Sequence, residues 1–229
     1  MVYGGIEKEK IQFNEETLWT GQPHDYAHEG AFEVLDELRQ LLWNGKQKQA
    51  HKLGNEKFMS QPFGQLCYQP FGNILLEFPG HDNASDYMRK LDLENAVASL
   101  IYKSEGVTYK REIIASSPDQ AIIIRLESSK KGALSFSIGM NSLHEEYDVQ
   151  VVENVIIIKG KANNYPEELS RDGIPYPKSK LTFEARIKVI SDGAEIVKQN
   201  KKINVEKATN VTLQLVAATS FVNYNDISG

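Results

Sequence analysis

The 229-residue sequence has a single cysteine, Cys67, so no disulfide can form within the chain and no cysteine-based metal site can be built. It has no run of about 18 apolar residues, the length that a membrane-spanning helix needs. Its formal net charge of -5 is opposite in sign to the basic surfaces that bind nucleic acids or anionic membranes. We therefore predict neither a nucleic-acid partner nor a membrane partner.

Signatures of cofactor binding and nucleophilic catalysis are also missing. The sequence contains no Walker loop and no Gly-x-Gly-x-x-Gly pattern, so no cofactor is predicted. It has no Gly-x-Ser-x-Gly elbow, and Cys67 lies in "GQLCYQP" without the motif of a catalytic thiol. We predict that Cys67 is a buried, inert side chain.

The N-terminal sequence does not resemble a leader peptide. Met1 is followed by Val-Tyr-Gly-Gly, not by the basic and apolar stretches of a signal peptide. Any export signal is therefore predicted to be absent or removed, which leaves the compartment open.

One stretch has helical periodicity. Its apolar residues recur at spacings of three and four and are Ala31, Val34, Leu35, Leu38, Leu41 and Leu42. Asn44-Gly45 follows as a stop signal, and a second, weaker helix is predicted over 46–59. The sequence thus predicts a short helical excursion near residues 29–59.

From Tyr68 onward the apolar period changes to two, which is typical of strands. Turn signals such as Glu105-Gly106 and Glu153-Asn154 separate the strands, and 194–206 is interpreted as a single strand. About ten strands with turns at this spacing predict a mostly β fold, a large antiparallel β-sandwich. An irregular insert is predicted over 163–178.

The two ends suggest a fragment. Residues 1–13 are interpreted as two short strands joined at Gly4-Gly5, and a chain that begins within a strand lacks an upstream neighbour. The last residues, "NYNDISG", form no recognisable element. We expect residues 1–229 to be one domain that is truncated at both ends.

Three acidic pairs and two histidines are candidates for chemistry. The pairs Glu15-Glu16, Glu145-Glu146 and Glu167-Glu168 could suggest the two carboxylates of a glycosidase, but solvated surfaces are favoured. His24 and His28 have the spacing of helical zinc ligands. Because Pro23 precedes them, we place them in a loop and predict no metal site.

The most unusual feature is a set of aromatic and amide side chains, Trp19, Gln22, Tyr26, Tyr68, Gln69 and Phe71. Aromatic faces beside amides suit a sugar ring, whose C–H groups stack while its hydroxyls need donors and acceptors. The alternative is that these groups fill the join between the sheet and the helices. The sequence alone favours that alternative.

The segments "NEETLWTG", "YQPFGN" and "IASSPDQ", together with "LVAATSFVNYNDISG", closely resemble the N-terminal domain of glycoside hydrolase family 95, the α-L-fucosidase type. The resemblance covers nearly the whole chain. It implies a β-sandwich of the supersandwich kind, followed in the parent protein by a helical linker and an α/α toroid.

The resemblance also implies a function for the parent protein. That function is inverting hydrolysis of terminal α-1,2-linked L-fucose or L-galactose, with the acid and base in the toroid, so no catalytic residue is assigned to this chain. The implied partners are the helical catalytic domain of the same parent chain and a fucosylated oligosaccharide, in a secreted or periplasmic protein. The loop with Trp19, Gly21 and Pro23 is then expected to contact the toroid. A stand-alone carbohydrate-binding module and a purely structural interaction protein are the alternatives.

Overall fold

The computed structural model of the protein describes residues 1–167 and 174–229. Within them, thirteen strands, one 3₁₀ helix and two α-helices follow one another along the chain. The strands are β1 (Lys8–Phe13), β2 (Gly72–Glu77), β3 (Ser85–Asp92), β4 (Val97–Ser104), β5 (Val107–Ser116), β6 (Ala121–Ser128), β7 (Leu134–Asn141), β8 (Tyr147–Val152), β9 (Val155–Lys161), β10 (Thr182–Ser191), β11 (Glu195–Gln199), β12 (Lys202–Ala208) and β13 (Asn210–Thr219). The 3₁₀ helix is Ala31–Val34, and the α-helices are α1 (Leu35–Trp43) and α2 (Gln47–Lys57).

The strands form two antiparallel sheets. The smaller sheet has five strands in the order β1-β2-β7-β12-β11, and the larger has eight in the order β3-β4-β5-β6-β13-β10-β9-β8. The sheets pack face to face, so the sequence prediction of a large antiparallel sandwich with a helical excursion is confirmed.

Alternating side chains build the core between the sheets. Along β5, Val107, Tyr109, Arg111 and Ile113 point inward and are buried, while the residues between them are partly exposed. Fully burying a large apolar side chain contributes about 1.5–3 kcal/mol, so this repeated alternation accounts for the closure of the sandwich.

The two longest connections lie at the same end of the sandwich. Residues 14–71 join β1 to β2, whose ends pair at Phe13 and Gly72, and residues 162–181 join β9 to β10. Two-residue turns such as Glu105–Gly106 lie at the opposite end. This arrangement places the aromatic and amide residues and both helices at one end of the molecule.

The helices form a hairpin that packs mainly on itself. Leu38 of α1 lies against Gly54 of α2, and α1 has no buried residue. The predicted second helix over 46–59 is confirmed as α2. Three large side chains of the hairpin are strongly exposed, Phe32 at 86%, Leu42 at 56% and Trp43 at 73%, and we call them the hairpin stripe.

The strands differ from the sequence predictions in three places. Residues near Val2 make only an isolated bridge to Ile11, so the N-terminus holds one strand and not two. Strand β3 was not predicted, because this edge strand is almost wholly exposed and has no alternating apolar pattern. The single strand expected over 194–206 is a hairpin of β11 and β12, turned at Asn200, which adopts a left-handed conformation with φ of 54°.

A buried guanidinium joins the N-terminal segment to the larger sheet. Arg111 donates hydrogen bonds to the carbonyl oxygens of Gly5 and Ile6 at 2.6 and 2.5 Å and to the hydroxyl of Tyr102 at 2.9 Å. Its guanidinium carbon lies 3.8 Å from the ring centroid of Phe78. These partners lie in the segment before β1, in β4 and just after β2. The Arg111 side chain therefore holds three separate parts of the chain together.

Glu9 is the charge partner of Arg111. Its carboxylate lies 3.6 Å from the guanidinium and accepts a backbone hydrogen bond from Gly4 at 2.9 Å. Burial raises the pKa of Glu9 above its usual range, although backbone hydrogen bonds to the carboxylate and the positive charge of Arg111 oppose the shift.

His81 extends this buried cluster. Its Nδ1 lies 2.7 Å from the hydroxyl of Tyr102, and its ring centroid is 4.4 Å from that of Tyr109. Burial, and secondarily the positive charge of Arg111, lower the pKa of His81. The folded state therefore resists protonation of this imidazole.

The substitution His81→Gln is expected to weaken the dependence of stability on pH. Because the pKa of His81 is lower in the folded than in the unfolded state, its contribution is present above about pH 6.5 and is lost as the pH falls further. Urea unfolding between about pH 7.5 and 5.5 should show a smaller loss of stability in the variant than in the wild type. Burial also lowers the pKa of His144. The variant should therefore still lose some stability as the pH falls, because His144 is still present.

The matched control is His51→Gln, since His51 is exposed on α2. Its pH dependence should equal that of the wild type. Equal pH dependence in the His81 and His51 variants would contradict the assignment.

Candidate functional site

Two segments meet at the end of the sandwich where the long connections lie. Trp19 and Tyr68 form an isolated antiparallel bridge. The amide of Thr20 donates to the carbonyl of Cys67, and the amide of Gln69 donates to the carbonyl of Leu18, each at 2.9 Å. The two side chains of the bridged pair therefore lie on the same face.

The indole of Trp19 is fixed in position. Its Nε1 donates a hydrogen bond to the carbonyl of Glu16 at 2.9 Å, and its ring centroid lies 5.4 Å from that of Tyr68. Trp19 is nevertheless 37% exposed. A large aromatic surface is thus held in one orientation and left open to solvent.

An open cleft of about 420 Å³ lies beside Trp19. Its walls come from the loop after β1, from the segment before β2, from the end of the connection before β10 and from the C-terminal segment. The lining residues are Glu16, Thr17, Trp19, Thr20, Gly21, Gln22, Pro23, His24, Tyr26, Leu66, Leu181, Phe221, Tyr224 and Ile227. We call this space the Trp19 cleft.

Tyr26 stands between the Trp19 cleft and a second, shallower cleft that Trp19 and Leu66 also line. The edge of the His24 imidazole packs against the Tyr26 ring at 4.9 Å between centroids. The Tyr26 hydroxyl is buried without a hydrogen-bond partner in the described part of the chain, and burial raises its pKa.

Three of the six aromatic and amide residues singled out from the sequence, Trp19, Gln22 and Tyr26, line the Trp19 cleft. Tyr68 lies outside it and supports the indole of Trp19. Gln69 does not line the cleft, and its side-chain oxygen accepts a hydrogen bond from the backbone amide of Asn163 at 3.1 Å.

Phe71 takes the packing role that the sequence favoured, whereas Cys67 differs from its prediction. Phe71 is fully buried between the rings of Phe13 and Phe183, so it belongs to the core and not to a site. Cys67 is half-buried, whereas a buried thiol was predicted, because it lies in the surface segment that pairs with Thr20.

The C-terminal wall of the cleft was missed by sequence reasoning. Phe221, Tyr224 and Ile227 lie in "FVNYNDI", where spaced aromatic residues in a polar stretch were the available signal. The segment is ordered by its own hydrogen bonds, including one from the Gly229 amide to the Ser220 carbonyl at 3.0 Å.

The acidic and histidine candidates do not assemble into a reactive site. The Trp19 cleft has one carboxylate in its lining, Glu16, while the carboxylate of Glu15 accepts hydrogen bonds from Thr17. His24 and His28 lie in a loop, as predicted. Glu168 lies outside the described residues.

Neither a metal site nor a membrane span is found in the described ranges 1–167 and 174–229. No group of three or more histidine, cysteine or acidic side chains there is arranged to hold a metal ion. No helix there is long and apolar enough to cross a bilayer.

Known proteins resemble nearly the whole chain. Residues 1–224 match the family model described as "Glycosyl hydrolase family 65, N-terminal domain". The chain is 34% identical over 233 residues to "Alpha-L-fucosidase 2" of Arabidopsis thaliana, an alignment that covers 96% of this chain and 27% of that protein. It is 25% identical over 206 residues to "Probable alpha-fucosidase A" of Aspergillus niger, covering 85% of this chain and 23% of that protein.

A third relative, "Probable alpha-fucosidase A" of Aspergillus oryzae, is 26% identical over 137 residues, which cover 56% of this chain and 18% of that protein. The chain therefore spans between 18% and 27% of the length of these curated relatives.

Gly21→Ala is expected to destabilise the protein and to displace one wall of the cleft. Gly21 has a φ of +81°, and an added Cβ would lie 2.7 Å from Leu66 Cδ1 and 3.3 Å from the carbonyl oxygen of Pro177. Relieving the overlap requires the partly exposed Leu66 side chain to move, which places the cost at the lower end of overpacking, on the order of 1 kcal/mol. Chemical denaturation measures the loss.

The control is Gly45→Ala in the helical hairpin. Gly45 has a similar φ of +70°, but its added Cβ would meet no atom within 4 Å. Both variants share the strain of a left-handed alanine, so their difference isolates the overlap. Equal destabilisation of the Gly21→Ala and Gly45→Ala variants would show that the overlap with Leu66 costs no stability.

Proposed function

This chain belongs to the family of glycosyl hydrolase family 65 N-terminal domains, and on that premise we propose that it is the non-catalytic β-sandwich of an inverting α-L-fucosidase-like glycoside hydrolase. In this proposal the sandwich packs on and supports a helical catalytic domain of the same parent chain. The observation that carries it is the 34% identity to "Alpha-L-fucosidase 2" across 96% of the chain.

The assignment to a fucosidase rests on those relatives and on the resemblance to glycoside hydrolase family 95. The matching family model bears the family 65 name, while the relatives of this chain are named as fucosidases. The inverting mechanism follows from the family 95 resemblance and stays part of the proposal.

The acidic groups support a non-catalytic role. Glycosidases use two carboxyl groups on opposite sides of the scissile bond, about 5–9.5 Å apart. Among the described residues, the lining of the Trp19 cleft offers one carboxyl group, that of Glu16. The proposal therefore places the acid and the base on polypeptide outside residues 1–229.

The hairpin stripe supports a role in contacting another domain. Phe32, Leu42 and Trp43 are exposed apolar side chains of a hairpin whose α-helices bury only Ala50. Large apolar side chains left exposed on a segment outside the core are candidates for a contact with another domain. We assign the stripe to the contact with the helical catalytic domain, and the contact that the family resemblance implies for the Trp19 loop stays an alternative to a ligand site there.

The experiment compares residues 1–229 with the longer parent protein, each carrying Trp43→Ala. Alone, the chain should lose no more than about 0.5 kcal/mol, because Trp43 is already exposed. In the parent, a buried tryptophan at an interface is expected to contribute roughly 2 kcal/mol or more, which lowers the thermal midpoint. The parent should release fucose from 2′-fucosyllactose, and the isolated chain should not.

Leu93→Ala is the control, because Leu93 is 84% exposed in the turn between β3 and β4, outside the hairpin. It should have little effect in either protein. Equal effects of Trp43→Ala in both proteins would refute the contact. Fucose release by the isolated chain that disappears in Glu16→Gln would refute the non-catalytic role.

A further inference from the structure

We infer that the Trp19 cleft binds one pyranose ring of an oligosaccharide. The ring is expected to stack on the indole of Trp19 and to place its hydroxyls near Gln22, His24 and Tyr224. This site goes beyond the supporting role proposed above and does not depend on it.

The first argument is that the indole is available as a platform. The Nε1 hydrogen of Trp19 is already donated to the carbonyl of Glu16, and Tyr68 supports the ring. The Trp19 indole therefore needs no ligand to satisfy its N–H group, and its contribution to binding would be the π face of the ring. A pyranose has a face of C–H groups that packs on such a surface. Little side-chain freedom is lost on binding, because the orientation already exists.

The second argument is that polar side chains line the same cleft with unused hydrogen-bonding capacity. The Gln22 amide and the Tyr224 hydroxyl make no hydrogen bond to protein groups in the described ranges. The His24 imidazole uses only Nε2, in a contact of 3.0 Å with the carbonyl of Gln61. An amide, a hydroxyl and an imidazole nitrogen supply both donors and acceptors, as adjacent sugar hydroxyls require.

The third argument concerns size and order. The cleft volume of about 420 Å³ lies within the range of roughly 300–1,000 Å³ typical of small-molecule sites. Its other walls include the apolar side chains of Leu66, Leu181 and Ile227. Hydrogen bonds within 220–229 hold the C-terminal wall in place, so the cleft exists before a ligand arrives.

The chain contains its own control for the indole. Trp19 and Trp43 are its two tryptophans, and both are exposed, but Trp43 lies on α1 and does not line the cleft. A ligand that simply adheres to exposed aromatic groups would respond to loss of either residue. A ligand in the Trp19 cleft would respond to loss of Trp19 alone.

The test titrates residues 1–229 with three probes, methyl α-L-fucopyranoside, methyl β-D-galactopyranoside and methyl β-D-glucopyranoside, and with the acyclic polyol sorbitol. Binding is followed by calorimetry and by the indole resonances in NMR spectra. At least one pyranoside should bind with micromolar to millimolar affinity and shift the Trp19 resonance, while sorbitol should do neither, because it lacks a rigid C–H face.

Trp19→Ala should weaken that binding at least about tenfold, and Gln22→Ala should weaken it several-fold in a protein whose core is untouched. Trp43→Ala should leave the affinity unchanged. The inference is overturned if no pyranoside shifts the Trp19 resonance, or if the Trp19 and Trp43 variants bind equally well.

The outcomes also separate this inference from the proposed function. If the cleft instead receives a segment of the parent chain, the pyranosides will not bind the isolated chain, and Trp19→Ala will destabilise the parent more than it destabilises the isolated chain, where only the contacts with Glu16 and Tyr68 are lost. That result would overturn the sugar site and leave the supporting role intact.

Discussion

Closure of two antiparallel sheets over one apolar core is the constraint from which the other features of this protein follow. Buried side chains of both sheets form one continuous core, and the long connections between strands lie outside it. The two longest connections lie at one end, and the helices and the Trp19 cleft are built from them and from the C-terminal segment. The buried guanidinium of Arg111 donates hydrogen bonds to the carbonyl oxygens of Gly5 and Ile6 and so holds the segment before β1 against the larger sheet.

The same constraint explains why large apolar groups are exposed. The hairpin of α1 and α2 cannot enter a core that is complete without it, and its helices bury only Ala50. The hairpin stripe is therefore a surface that the sandwich leaves uncovered. Trp19 differs from the stripe in kind, because a hydrogen bond and a neighbouring ring hold its indole beside a cleft with polar groups. We assign the first surface to a protein partner and the second to a small ligand for this reason.

Strands could be predicted from the sequence where one face is buried, because apolar and polar residues then alternate. They could not be predicted where both faces are exposed. Strands such as β5 and β13 alternate strictly and were predicted, whereas the edge strand β3 is exposed on both faces and has no such signal. The split between β11 and β12 depends on a left-handed Asn200, which lacks the usual glycine beside it. At the site, Trp19, Gln22 and Tyr26 were identified from residue type. Phe71 has the packing role that the sequence favoured, and Phe221 was missed, because only the tertiary structure decides which aromatic groups line a cleft.

The central claim is that this sandwich is a supporting domain whose helical hairpin contacts another part of a longer protein. Hydrogen–deuterium exchange over residues 31–59, compared between the isolated chain and the parent protein, tests it most directly. The account predicts that amides of α1 and α2 exchange slowly in the parent and much faster in the isolated chain, while strands β5 and β13 are protected equally in both. Equal exchange of the hairpin in the two proteins would contradict it.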